Sequence, residues 1–418
     1  MIALFLACGA PAAPSDDDPV AVDDTSPAVV DAPTWHQDVR PIIETRCVSC
    51  HQTGGIGLFP LTEYDAVHAV RDAIADAVGS GRMPPWGAAP GCNTYAGDLS
   101  MPADEIETIL AWAEADGPEG DPTASVPGTP ANTQTALSRV DLTLSLPEVY
   151  TPQVEPDDYR CFAIPWPYTE RVYVTGFRVN PGDPRVVHHV IAYVAGAQYA
   201  ETIAQVEAED ELPGFACYGG PVVVPQEDAE WLGAWAPGDE TGDFPEGLGI
   251  RMNPGEYVIL QVHYNTEVAG ALPDQTTMDL SIAESVERSA WLQPYTNPVW
   301  LYGVGMDIPA GESGVTHSFS YPFPGDYLFW AVFGHMHTLG RSLKLTIGDG
   351  ADANCLLNIP AWDFDWQRTY RLAEPQLIRE DEELHLDCVW DNPTDQDVAW
   401  GDGTGDEMCL GVLLMTDP

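Results

Sequence analysis

Val186-Val187-His188-His189-Val190-Ile191 is the stretch on which the fold is read. It is a β-branched run, and it puts two imidazoles in the middle of a strand. Neighbouring side chains on a regular strand point to opposite faces, so both rings reach one site only where the strand ends or bulges. Short β-branched or aromatic runs of the same kind surround it: Arg171–Val179 before it, then Tyr257–Tyr264, Tyr327–Phe333, Ser342–Ile347, Glu383–Trp390 and Cys409–Met415. Gly, Pro and Asp clusters separate them and no long helical pattern intervenes, which predicts two antiparallel, jelly-roll-like β-sandwiches. Two more histidine groups accompany these runs. His263 sits in Leu260-Gln261-Val262-His263-Tyr264-Asn265, and His335-Met336-His337 lies just beyond Tyr327–Phe333. The i,i+2 spacing puts His335 and His337 on one face of an extended chain, which is a metal-ligand geometry. Five of the ten histidines fall in this pattern, so metal binding is expected, with the metal left open by the pattern alone.

The chain has 418 residues, 65 acidic and 16 basic, for a formal charge of −49. Such a surface repels nucleic acid and anionic membranes, so neither is expected as a partner. Apolar residues make up 44%, enough for packed cores. Residues 1–8, Met1-Ile2-Ala3-Leu4-Phe5-Leu6-Ala7-Cys8, read as a signal remnant whose loose lipobox makes Cys8 a lipid anchor. Residues 9–33, rich in Ala, Pro and Asp, read as an acidic tether. A second Pro-, Gly- and Thr-rich stretch sets a linker at 122–140, dividing a small domain at 34–121 from sandwiches at 141–285 and 286–418.

The small domain carries Cys47-Val48-Ser49-Cys50-His51, a C-x-x-C-H motif. Two thiols at this spacing add to the vinyl groups of one haem, and the adjacent histidine becomes the iron ligand. A redox dithiol or half a zinc site would share the Cys spacing, but no second ligand pair for zinc lies nearby. A helix-like run at 39–44 leads into the motif. Helices are expected at about Glu63–Val78 and Asp104–Ala115, with Gly81-Arg82-Met83-Pro84-Pro85-Trp86 between them. This order resembles a class I-type mono-haem cytochrome c, a small all-α domain. Met83 is the expected sixth ligand, presented by a Pro-rich loop, with Met101 its rival; a thioether opposite histidine suits electron transfer. His36 and His68 read as surface residues.

His188-His189, then His263 in a Gln-x-His-Tyr context, then His-x-His, then Asp406-Glu407-Met408-Cys409 resemble the copper type II monooxygenases, the peptidylglycine α-hydroxylating and dopamine β-monooxygenase family. The resemblance covers about residues 140–418. It implies an electron-transfer copper on His188, His189 and His263, and an oxygen-activating copper on His335, His337 and Met408. Imidazole suits both copper states and a thioether favours Cu(I). It further implies hydroxylation of a C–H bond with O₂, the two coppers facing one another across a solvent cleft, and Gln261 beside the electron-transfer copper. Cys161–Cys217 and Cys388–Cys409 fall where the family has disulfides. Cys92 and Cys355 either pair, stapling the cytochrome to the second sandwich, or stay as buried thiols.

The chain departs from the peptide-processing members. Their substrate-binding arginine is Phe333 here, and their asparagine and tyrosine after the methionine are Leu410 and Val412. A carboxylate would meet no fork of donors, so a small substrate without a carboxylate anchor is expected. The fused cytochrome suggests that haem supplies electrons, drawn from a donor protein or from a small reductant such as ascorbate. The competing reading is an electron-transfer haem and copper protein without hydroxylase activity. Haem attachment and disulfides both point outside the cytoplasm, to a periplasm or an outer-membrane lipoprotein. Trp362, Phe364 and Trp366 read as core, His317 and His385 as structural, and the acidic pairs as solvated surface.

Overall fold

A computed structural model of the chain describes residues 32–53, 57, 59–129, 137–225, 228–236, 242–348, 350 and 353–418. Cys8, its signal-like run and nearly all of the tether lie outside the described residues. No helix among those described is long and apolar enough to cross a membrane.

The N-terminal part is helical, with helices Arg40–Arg46, Tyr64–Ala69, Arg71–Gly79 and Ala103–Glu114. Pro41 sits in the first turn of Arg40–Arg46, where its missing N–H costs nothing. Asp104 and Glu105 occupy the first turn of the last helix, where the backbone dipole favours negative charge. The helix expected over 63–78 is two helices, because Val70 leaves the helical region at φ −119° and ψ 14°. Trp35, Val39, Ile43, Val67, Ile109 and Trp112 form this part's own buried core.

The rest is mostly strand. Each expected strand is present within two residues at either end, as Val172–Asn180, Val187–Ala195, Tyr257–Asn265, Tyr327–His335, Gly340–Ile347, Glu383–Asp391 and Leu410–Thr416. A helix at Ala200–Glu209 interrupts the strands, contrary to the expectation of none. The four-stranded sheet runs Ser313–Pro322, Glu383–Asp391, Gly340–Ile347, Asn354–Ile359. The other strands join in one thirteen-stranded sheet that serves both sandwiches. Its junction is the strand Arg288–Tyr295, antiparallel to Leu410–Thr416 on one side and parallel to Leu248–Met252 on the other. That parallel pair departs from the all-antiparallel expectation, and it ties the two sandwich halves through continuous backbone hydrogen bonds.

Val174, Leu260, Met278 and Leu280 centre the first core; Leu343, Leu345, Leu386 and Trp390 centre the second. Each such side chain contributes roughly 1.5–3 kcal/mol by leaving water. Three disulfides join Cys92–Cys355, Cys161–Cys217 and Cys388–Cys409. Cys92–Cys355 spans 263 residues and staples the segment 86–96 to the second sandwich. Backbone bonds reinforce it: Ala89 N–H donates to the Asn358 carbonyl (2.7 Å), Ala96 N–H to Arg371 (2.9 Å), and Ala373 N–H to Thr94 (2.9 Å). The Tyr95 hydroxyl donates to the Leu356 carbonyl at 2.8 Å.

Candidate metal centre

The strand Val187–Ala195 lies between Glu230–Trp235 and Tyr257–Asn265. Its register slips between Val187 and His189, which is the irregularity that two adjacent ligands require. His189 is then directly opposite His263, and His263 is opposite Tyr159 on the next strand. His188 Nδ1 and His263 Nδ1 each lie 3.3 Å from His189 Nδ1. Two nitrogens about 2.0 Å from one ion, at a tetrahedral angle, stand about 3.3 Å apart, so the trio has the spacing of a metal site. His263 Nε2 lies 2.9 Å from Asp157 Oδ1, which accepts its proton and leaves Nδ1 as the lone pair. Tyr159 stacks on His263 with centroids 4.1 Å apart and planes 8° from parallel. Burial works to raise the Asp157 pKa, but hydrogen bonds from His263 and Thr404 outweigh it and hold the carboxyl below its ordinary range.

His335 ends the strand Tyr327–His335, and His337 follows two residues later. Their rings are 5.1 Å apart. His335 Nδ1 donates to Gln367 Oε1 (2.6 Å) and His337 Nδ1 donates to the Asp406 carbonyl (2.9 Å). Both Nε2 atoms are thereby left for a metal. Glu407 organises the same corner. Its carboxylate accepts from the backbone N–H of His337 (2.9 Å) and Leu339 (2.6 Å), from the Trp390 indole (2.9 Å) and from Met408 N–H (3.3 Å). Glu407 is fully buried, so the reading of the acidic pairs as solvated surface fails here; burial raises its pKa. Cys409, bridged to Cys388, pins the residue after Met408.

Burial is the main force on four of these histidine rings. It pushes His188 and His337 down to about 3 and His335 to about 4, and holds His189 well below its ordinary value. These rings are neutral near pH 7 and can donate lone pairs.

The two groups meet. A cavity of about 500 Å³ is lined by His189, His335 and Met408 together, with Tyr193, Trp235 and Phe333 among its walls. Gln261 lines it too; its amide accepts from the Tyr193 hydroxyl (3.3 Å) and donates to the Cys217 carbonyl (2.8 Å). Beside the cavity the two sandwiches also touch. Phe364 stacks on His188 at 5.2 Å and stands 6.0 Å from His337. Thr404 donates to Asp157 Oδ1 (2.8 Å), and Tyr218 donates to Asp406 Oδ2 (3.2 Å), so the loop leading to Met408 is fastened to the first sandwich. Trp362 packs against the second core as read, and its indole also donates to the His337 carbonyl at 3.1 Å; Phe364, read as core, is half-buried between the two histidine groups. Asp157, Tyr159 and Gln367 were given no role in the sequence, and Glu407 was quoted only within the Asp-Glu-Met-Cys run. The one signal was the spacing Asp157-x-Tyr159, which puts both on one strand face.

In the helical part, Cys47 caps the helix Arg40–Arg46, and the N–H groups of Cys50 and His51 turn back to its carbonyl at 3.2 and 2.9 Å. His51 Nδ1 donates to the Phe59 carbonyl at 3.1 Å, leaving Nε2 available. A Cβ on Gly57 would come within 2.6 Å of that ring nitrogen, so the close backbone approach requires glycine. Met83 is half-buried, and Met101 packs against the helical core. His36 and His68 are held by Ser125 and the Asp116 carbonyl.

Residues 142–269 match the copper type II ascorbate-dependent monooxygenase N-terminal domain, and residues 316–415 match the C-terminal domain of the same family. The chain belongs to this family of oxygen-incorporating copper oxidoreductases. It is similar to DBH-like monooxygenase protein 1 of Homo sapiens, 24% identical over 252 residues, covering 56% of this chain and 40% of that protein. It is likewise similar to DBH-like monooxygenase protein 2 of Mus musculus, 24% identical over 278 residues, covering 60% and 42%. The chain thus spans less than half the length of these curated relatives. A likeness to the major capsid protein P2 of bacteriophage PM2, with a TM-score of 0.26 and 9% identity over 66% of this chain and 97% of that one, is too slight to carry an argument.

Proposed function

We propose that the chain hydroxylates a C–H bond of a small, non-carboxylate substrate with O₂, using two coppers. His188, His189 and His263 would hold one copper, and His335, His337 and Met408 the other. Bound there, the coppers would supply the electrons and oxygen chemistry of the reaction. The observation that carries this reading is the cavity that His189, His335 and Met408 line together. Asp157, Gln367 and the Asp406 carbonyl hold the protons that keep the ligating nitrogens of His263, His335 and His337 as lone pairs. A His₂Met set disfavours zinc.

The cavity supports the substrate class. No Lys or Arg is among its described lining residues, while Phe333, Leu410 and Val412 are. A carboxylate would be desolvated there without a cation to pair it. Aromatic walls suit an apolar carbon held close to the metal.

Haem would be held by Cys47, Cys50 and His51, with Met83 as sixth ligand. The His51 bond to the Phe59 carbonyl supports this, since it fixes the tautomer with Nε2 toward iron. The reading includes an extracytoplasmic address, favoured by three disulfides, and a lipid anchor at Cys8. O₂ and the small substrate meet in the cavity, and a donor protein or small reductant feeds the haem.

Elemental analysis tests this on protein matured in a haem-attaching periplasm and exposed to copper and zinc together. One iron and two coppers per chain are expected, with Met408→Ala losing a single copper. Iron alone, or zinc in place of copper, contradicts the proposal. Oxygen uptake against a panel of neutral small molecules then tests the hydroxylation.

A further inference from the structure

The segment Ala361-Trp362-Asp363-Phe364-Asp365-Trp366-Gln367-Arg368 touches more of the chemistry than any one ligand strand does. Gln367 bonds His335, Trp362 bonds the His337 carbonyl, and Phe364 stacks on His188. Its far end faces the N-terminal part. The Arg368 guanidinium lies over the Trp86 ring at 5.3 Å, and Trp86 packs edge-on against Tyr370 at 5.2 Å. Trp86 is three residues beyond Met83, joined to it by two prolines that stiffen the connection. The described hydrogen bonds and the disulfide from residues 86–96 to the sandwiches all reach residues 355–373, and none reaches the first sandwich.

We infer that electrons enter the copper pair at the His335 site, through Trp86, Arg368 and Gln367, and not at the three-histidine site. The inference rests on the haem reading above and deepens it. The route runs from Met83 to Trp86 along the chain, across one 5.3 Å ring contact to the Arg368 guanidinium, down the Arg368 side chain and one peptide to Gln367, and out along the Gln367 side chain to a 2.6 Å hydrogen bond with His335. The branch to His188 adds a ring stack at 5.2 Å with no hydrogen bond. Electronic coupling is stronger through bonds and short hydrogen bonds than across a van der Waals gap, so His335 is the better terminus. The step moves one electron from ferrous haem to a cupric ion. Iron becomes ferric, copper becomes cuprous, no bond forms or breaks, and no proton is needed. Cys92–Cys355 is the device that holds the two ends in contact.

The test is anaerobic, so turnover plays no part. The full chain, with haem and copper loaded, is given one electron at the haem by a flash, and haem reoxidation is followed by absorbance. His188→Ala and His335→Ala each remove one copper, checked by metal analysis. We expect reoxidation in His188→Ala at the parent rate, and about an order of magnitude slower or worse in His335→Ala. Trp86→Leu should slow it comparably with copper content unchanged, and Trp86→Phe, which keeps a ring under Arg368, should restore much of the rate. Fast reoxidation in His335→Ala, loss in His188→Ala, or indifference to both Trp86 variants overturns the inference while the haem reading stands. A chain that takes up no haem in a haem-attaching periplasm overturns the haem reading, and this inference with it.

Discussion

The two histidine groups are built by different means. His188, His189 and His263 stand on adjacent strands of one sheet, and the ladder itself sets His189 opposite His263. The bulge at Val187–His189 brings His188 in beside them, and Asp157 and Tyr159 steady His263 from the neighbouring strand. His335, His337 and Met408 come from a strand end and a loop, and side chains do the fastening: Glu407 gathers four donors, and Gln367, Trp362 and a disulfide hold the rest. Backbone pairing gives a site whose geometry is as firm as the fold. Side-chain fastening gives a site that single substitutions can undo while the sandwich survives.

The sharpest way to break this contrast is at Glu407. Glu407→Ala leaves buried donors unsatisfied, and we expect a loss on the order of 3–5 kcal/mol in denaturant unfolding. The second-sandwich copper should go with it, while copper at His188, His189 and His263 remains. A loss below about 1 kcal/mol, or equal loss of both coppers, would sink the hub role. Next in size, replacing Cys388 and Cys409 together with alanine reopens a link across 21 residues. A cost of about 3 kcal/mol is expected, read from the same unfolding curves.

Weaker effects sharpen the comparison. Asp157→Asn and Gln367→Leu each remove the group that fixes one ligand's tautomer. Copper affinity should fall roughly 10–100-fold at the three-histidine site for the first and at the His335 site for the second, by competition titration. Because Asp157 also holds Thr404 of the loop leading to Met408, Gln367→Leu is the cleaner arm: loss of copper at the three-histidine site in that variant would deny that the sites are held independently. Smallest is Tyr159→Phe, which keeps the ring stacked on His263 and loses only the hydroxyl bond to the Asp402 carbonyl. About 1 kcal/mol of stability should go, with both coppers retained.

Much of this was legible. The ligand strands are short β-branched or aromatic runs set off by Gly, Pro and Asp, and the His-His, Gln-x-His and His-x-His patterns sit on them or at their ends, so strand positions were read to within two residues. The adjacent pair even demanded the bulge that is found. What escaped is what depends on tertiary packing. Arg288–Tyr295 contains Pro294, which argues against a strand, yet it joins both sandwiches. Ala200–Glu209 is rich in Ala, Glu and Gln, good helix formers, and was passed over among strands. Glu407 looked like half of a surface acid pair, because nothing local to Asp406-Glu407 says that Trp390 and two distant amides converge on it. Phe364 reads as core by composition; only the approach of the two sandwiches sets its ring between His188 and His337.

Copper-edge X-ray absorption on the reduced, copper-loaded protein tests the central claim most directly. The account predicts sulfur scattering from half of the bound copper, and in Met408→Ala its disappearance together with that half of the copper, the remainder showing nitrogen ligands alone. Copper without any sulfur neighbour, or loss of all copper from Met408→Ala, would contradict the division into a three-histidine site and a His₂Met site.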